Sequence, residues 1–123
     1  GGFAKSGCMF KDSKIRIAEI TDGLTQTSII GEVSWTGYSK YRTWVRGWSL
    51  RDDFPGGTAM GQAKNVFSPI NSGLPYGLFN DGAFGSEHPG GAIFGFADGS
   101  NKLVSEQIED SVYFAMASRN GRE

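Results

Sequence analysis

The chain has 123 residues, twelve Lys and Arg against thirteen Asp and Glu, and a net charge of −1. That is enough for one domain with a modest core, and the mixed signs leave no electrostatic footprint for nucleic acid or an anionic membrane surface. A single cysteine and a single histidine exclude an internal disulfide and supply too few ligands for a zinc centre.

Nineteen glycines together with nine Phe, four Tyr and three Trp favour a loop-rich domain built around a sheet. No apolar run reaches the roughly 18 residues of a membrane span. Residues 1–14, which include Cys8, are weakly patterned and predict an irregular lead-in. Ile15, Ile17 and Ile20 followed by Thr21-Asp22-Gly23 predict a short turn or a single helical turn that delivers the next strand.

From Thr27 the chain alternates, with Ile29, Gly31, Val33 and Trp35 on one face and Ser28, Ile30, Glu32 and Ser34 on the other; this predicts a first strand. Gly37 to Lys40 reads as a loop and Tyr41 to Trp48 as a second, antiparallel strand. A four-residue loop would set Arg42 and Arg46 beside Val33 and Trp35. A five-residue loop sets Arg46 opposite Glu32, and is preferred because unpaired charge is costly to bury.

Residues 49–87 show no sustained period. A segment of that length is either ordered by its own aromatics, Phe54, Phe67, Tyr76, Phe79 and Phe84, or functionally exposed. Short turns are expected there, with a small strand near Asn65 to Phe67.

Asp98-Gly99 lies between two β-compatible runs and predicts a hairpin of Ala92 to Ala97 and Asn101 to Ser105, because the pair supplies the positive φ of a tight turn. His88 stands before Pro89-Gly90-Gly91 at the hairpin's entrance. A helix is predicted from Ser111 to Arg119, with Asp110 as N-cap, Asn120-Gly121 as a left-handed C-cap, and Val112, Ala115 and Met116 towards the sheet. The predicted fold is α+β: an antiparallel sheet of about four strands from two hairpins, with the helix against one side. One short helix shields only one face, so the 49–87 loop is expected to cover most of the other, leaving a residual patch near Trp44 and Trp48.

His88, nine residues, then Asp98-Gly99 is a spacing that resembles the C-terminal domain of bacterial prepilin-type proteins with an H-x9-D-G signature, a group also described by a domain of unknown function. Two more blocks carry the resemblance: Ile15 to Gly23, continuing through Thr27 to Gly31-Glu32, and Ala117 to Glu123. The blocks cover about half the chain, and residues 36–84 match nothing in that pattern. The resemblance implies a pilin-like or pseudopilin-like globular head, spanning residues 1–123 as one domain, with a structural or secretion-associated role at the cell surface or in the periplasm. Its partners would be other pilin-like subunits or type II secretion machinery. Family members typically begin with a cleaved leader and a long hydrophobic helix; this chain begins Gly-Gly-Phe, so it is expected to be a C-terminal fragment whose membrane contact runs only through that helix.

Candidate chemistry is thin. His88 could be paired with Asp98, Glu87, Asp81 or Asp110 as a general base and its orienting carboxylate. Cys8 in the lead-in and serines outside any strand-turn-helix elbow leave it without a nucleophile, so no enzyme is expected. His88 is instead expected to be buried, pinning the hairpin by a bond to backbone or to Asp98, with Gly90, Gly91 and Gly99 as structural motif residues.

No cofactor is expected. Calcium remains a candidate at Asn80-Asp81-Gly82 and Glu87, since pseudopilins, which the family resembles at its leader, can carry calcium in C-terminal loops; the carboxylates are sparse for a dedicated loop. The alternative function is a carbohydrate- or protein-binding module in which Trp35, Tyr38, Tyr41, Trp44 and Trp48 stack on a glycan or a partner. The opposing reading has the same rings filling the core or covering another helix.

Overall fold

A computed structural model describes residues 5–10, 12–33, 66, 69–72 and 83–121. A 3₁₀ turn at Ile17–Glu19 leads to strand β1, Ser28–Gly31. Strands β2, Gly91–Phe96, and β3, Asn101–Ser105, are followed by helix α1, Asp110–Ala117. The strands form an antiparallel sheet in the order β1-β2-β3. The architecture is therefore α+β, with three strands and one C-terminal helix among the described residues. The predicted strand Tyr41 to Trp48, and with it the Arg46–Glu32 register, lies outside those residues, as do Trp35, Tyr38, Trp44 and Trp48. Val66 is in a turn; Asn65 and Phe67 are outside.

The β2–β3 hairpin forms where the sequence placed it, but its turn differs. Gly99 N–H donates to Phe96 O at 2.9 Å and Phe96 N–H to Ser100 O at 2.9 Å, closing a three-residue loop in which Gly99, at φ +86°, carries the left-handed conformation. Asp98 needs no positive φ in this turn. Its Oδ1 accepts from Ser100 N at 2.9 Å and from Ser100 Oγ at 2.6 Å, and these bonds to Ser100 hold its carboxyl below the usual range.

Alternation sorts β2. Ala92, Phe94 and Phe96 point inward with Val104 of β3, and are joined by Ile70 and by Tyr113 and Met116 of α1. Phe94 is the hub: its ring meets Phe84 edge-on at 4.9 Å and Tyr113 at 6.2 Å. Truncating such a residue to alanine costs about 3–5 kcal/mol. Phe84, Val66 and Ile70 thus pack with α1 into one core. The expectation that the 49–87 segment covers the opposite face is corrected for its described residues, because Val66, Ile70 and Phe84 pack into the Phe94 cluster. The outer face carries Ile30, Ile93 and Leu103, which are 58%, 39% and 59% exposed.

The helix departs from its predicted bounds and orientation. Glu109, not Asp110, is the N-cap, and it makes no side-chain cap bond. Tyr113 and Met116, three apart, face the core, while Val112 and Ala115 are exposed. Two anchors set that rotation: Ser28 Oγ donates to Met116 O at 2.9 Å, and buried Thr27 Oγ1 to Ser118 O at 3.3 Å. α1 stops at Ala117 with Ser118 extended at φ −90°, ψ 149°, so there is no left-handed Asn120-Gly121 cap. The competing bonds are tertiary: Arg119 N donates to Ser6 O at 3.1 Å, and Thr21 N to Arg119 O at 2.8 Å. Arg119 Nη1 also donates to the carbonyls of Lys5 and Gly7, and its guanidinium lies 5.5 Å from the Phe10 ring centroid. The lead-in is thereby stitched to the C-terminal tail. Among the described residues no helix is long and apolar enough to cross a membrane.

Candidate functional site

The end of β1 and the loop before β2 meet in a polar clasp centred on Glu32. Glu32 N donates to Ile93 O at 2.9 Å, and Gly85 N donates to Glu32 O at 3.0 Å. The Glu32 carboxylate accepts the Ile93 amide at 2.9 Å through Oε2, and its Oε1 lies 3.4 Å from His88 Nε2. The Ile93 amide, the Ser86 hydroxyl and His88 hold the Glu32 carboxyl below the usual range, the Ile93 bond contributing most. Ser86 Oγ accepts from His88 N at 2.9 Å.

A second layer comes from Asn71, in the left-handed region at φ 59°. Its Oδ1 accepts from Ser86 N at 2.8 Å, its Nδ2 donates to Glu106 Oε2 at 2.9 Å, and its amide donates to Phe84 O at 3.1 Å. One asparagine therefore ties the loop to the residue that follows β3.

The sequence expectations fare unevenly here. The His88 side chain is 57% exposed, which corrects the expectation of burial: Pro89 and Gly90, at φ +80°, turn the chain into β2 and leave the imidazole on the rim. Asp98 is not its partner. His88 and Asp98 flank β2, whose six residues span about 20 Å when extended. The H-x9-D-G spacing therefore brackets a strand and brings no dyad together. Gly91 allows close strand approach, since a Cβ there would lie 2.1 Å from Val104 O.

The sequence singles out Glu32 only as the residue opposite Arg46, not as the partner of His88, and does not single out Asn71. A signal existed for each: Glu32 continues the Ile30 face just past β1, and Asn71 follows Pro69-Ile70 in a turn setting where asparagine tolerates positive φ.

Chemically the clasp is self-contained. The imidazole faces the carboxylate and the Ser86 hydroxyl donates to that same carboxylate, so the partner of the serine is Glu32 and not the imidazole. Cys8 is a free, half-buried thiol whose pKa burial raises while Arg119 draws it down. Asp81 and Asn80 lie outside the described residues; among those described, no three His, Cys, Asp or Glu side chains are grouped to hold a metal.

Fold and clasp together define a small α+β domain whose polar residues serve loop and turn geometry. The family model described as "Protein of unknown function (DUF1559)", SBP_bac_10, matches residues 2–111, and the chain belongs to that family. No curated protein and no solved structure matches it.

Proposed function

We propose that the chain is a non-enzymatic, pilin-like or pseudopilin-like globular head, a structural or secretion-associated subunit presented outside the cytoplasm and partnered by similar subunits. One observation carries the reading: the two signature residues, His88 and Asp98, flank β2 and do not meet, the imidazole facing the Glu32 carboxylate and the Asp98 carboxylate accepting from Ser100 in the hairpin turn. A domain whose signature shapes a hairpin suits display and assembly better than turnover. The resemblance in the blocks Ile15 to Glu32 and Ala117 to Glu123 supports the same assignment.

The test is made on the natural protein, epitope-tagged in its own cell. Fractionation is expected to place it in the envelope or the sheared surface fraction, and single-cysteine variants are expected to cross-link it to pilin-like subunits. A protein that stays cytosolic, or one that binds glycans on an array through the tryptophan-rich segment without cross-linking to such subunits, overturns the proposal.

A further inference from the structure

Among the described residues the sheet ends at β3, and the backbone polarity of this edge is fixed by the bonds on either side. Ile93 spends its N–H and its C=O on Glu32, so both groups point towards β1 and neither reaches Leu103, the residue opposite in the β3 register. The flanking bonds Phe96 N to Ser100 O and Glu106 N to Gly90 O, both 2.9 Å, put β3's inward-directed groups at Lys102 and Val104 by the antiparallel alternation. Asn101, Leu103 and Ser105 therefore aim their amides and carbonyls away from the sheet. Among the described residues, Ser105 O is the one of these groups that is engaged, accepting from Ile108 N at 3.1 Å.

Edge strands are normally guarded by a charge, a proline or a bulge. β3 has an unbroken register and no proline. Its one charge, Lys102, is turned back, with Nζ donating to Thr25 O at 3.0 Å and lying 4.5 Å from the Phe96 ring centroid. On the outer side the strand shows Asn101, Leu103 and Ser105, and Leu103 continues an apolar row with Ile93.

We infer that β3 pairs with β3 of a second copy of this chain, antiparallel and centred on Leu103. About that two-fold axis Leu103 meets Leu103, Asn101 meets Ser105, and Lys102 meets Val104, so every outward donor finds an acceptor, Ser105 O taking its second bond beside that from Ile108 N, and no like charges stand opposite. The two outer faces merge into one apolar surface across a six-stranded sheet. One strand pair falls below the roughly 1,200 Å² of a standard interface, so the pairing is weak and depends on concentration. This inference stands apart from the proposed function: a head with any role could pair this way.

Sedimentation equilibrium on the chain is expected to show mass rising from monomer towards dimer over roughly 10 µM to 1 mM. Leu103→Pro removes an outward N–H without costing the hairpin a ladder bond and is expected to hold the protein monomeric. Leu103→Lys and Leu103→Glu each place like charges opposite and are expected to be monomeric alone, while an equimolar mixture associates. Amide NMR spectra of each variant check that the hairpin is intact; Leu103 is exposed, so the lysine and glutamate variants serve if the proline variant fails to fold. A strict monomer at about 1 mM, a dimer that survives Leu103→Lys, or a charge-swapped mixture that stays monomeric overturns the inference.

Discussion

Glu32 Oε1 stands 3.4 Å from His88 Nε2, and the pairing joins the end of β1 to the loop that feeds β2. Both side chains are partly open to water, so the pair itself is worth less than about 1 kcal/mol. His88→Ala should lower the melting temperature only slightly, by a few degrees at most. A drop of ten degrees or more, measured by thermal circular dichroism, would show that the imidazole carries structure beyond this contact.

The Glu32 carboxyl is held below its ordinary value chiefly by the Ile93 amide. A depressed carboxyl stabilises the fold above its unfolded pKa, near 4.3, and that contribution is lost as pH falls through the lower folded value. Glu32→Gln should therefore be less stable than the parent at pH 6, with the gap closing towards pH 3. Denaturant titrations at the two pH values check the sign, and a gap that widens on acidification contradicts it.

Tyr113 is buried in the core, and its hydroxyl has no hydrogen-bond partner among the described residues. Burial pushes its pKa to about 12, which favours the neutral phenol in the folded state. That stability is present below the unfolded value of about 10 and is lost as pH rises through the folded one. Tyr113→Phe removes an unsatisfied polar atom while keeping the ring, and should be neutral or stabilising by about 1–2 kcal/mol. It should also flatten the loss of stability between pH 10 and 12; a variant clearly less stable at neutral pH would reveal a partner for the hydroxyl.

Gly99 sits at φ +86° in open space, with nothing within 4 Å of a built Cβ. Gly99→Ala thus isolates backbone strain from crowding and should cost about 1–2 kcal/mol. Gly99→Asn should cost less, since asparagine tolerates that region. Equal losses for the two variants in urea unfolding would mean that the turn rearranges.

Arg119 bonds the carbonyls of Lys5 and Gly7 from across the chain, next to Cys8, whose thiol feels its charge. Arg119→Ala should loosen that segment and speed modification of Cys8 by a neutral disulfide reagent roughly tenfold, the equivalent of about 1.4 kcal/mol of local protection. An unchanged rate would mean that the backbone bond from Arg119 N to Ser6 O suffices.

Local signals were legible and long-range ones were not. Asp98-Gly99 between β-forming runs placed the hairpin within a residue, because turn chemistry and alternation are encoded by neighbours. The break after Ile20 likewise marked the 3₁₀ turn. The helix is expected to reach Arg119 but ends two residues earlier, since its stop is set by Ser6 and Thr21 bonding Arg119, far away in sequence. Of the residues expected inward Met116 is buried but Val112 and Ala115 are not, because Thr27 and Ser28 choose the rotation, and an eight-residue helix has too few turns for a decisive stripe. His88 was expected inside because a lone histidine beside glycines reads as a structural pin; the carboxylate that meets it comes from the far end of β1. Asn71 entered the site through a single left-handed residue, which no periodicity reports.

The register that joins Ser28 to Phe96 and Gly31 to Phe94 sets an order of events during synthesis. A ribosome adding about 5–20 residues per second completes β1 several seconds before the strand it must pair with emerges. β2 and β3 leave the tunnel as one hairpin block whose contacts are local in sequence and close quickly. The earlier half of the chain therefore waits as a client for that block, with Ile29 and Ile30 open to holdase chaperones, and the hairpin acts as the template on which the already synthesised β1 is captured.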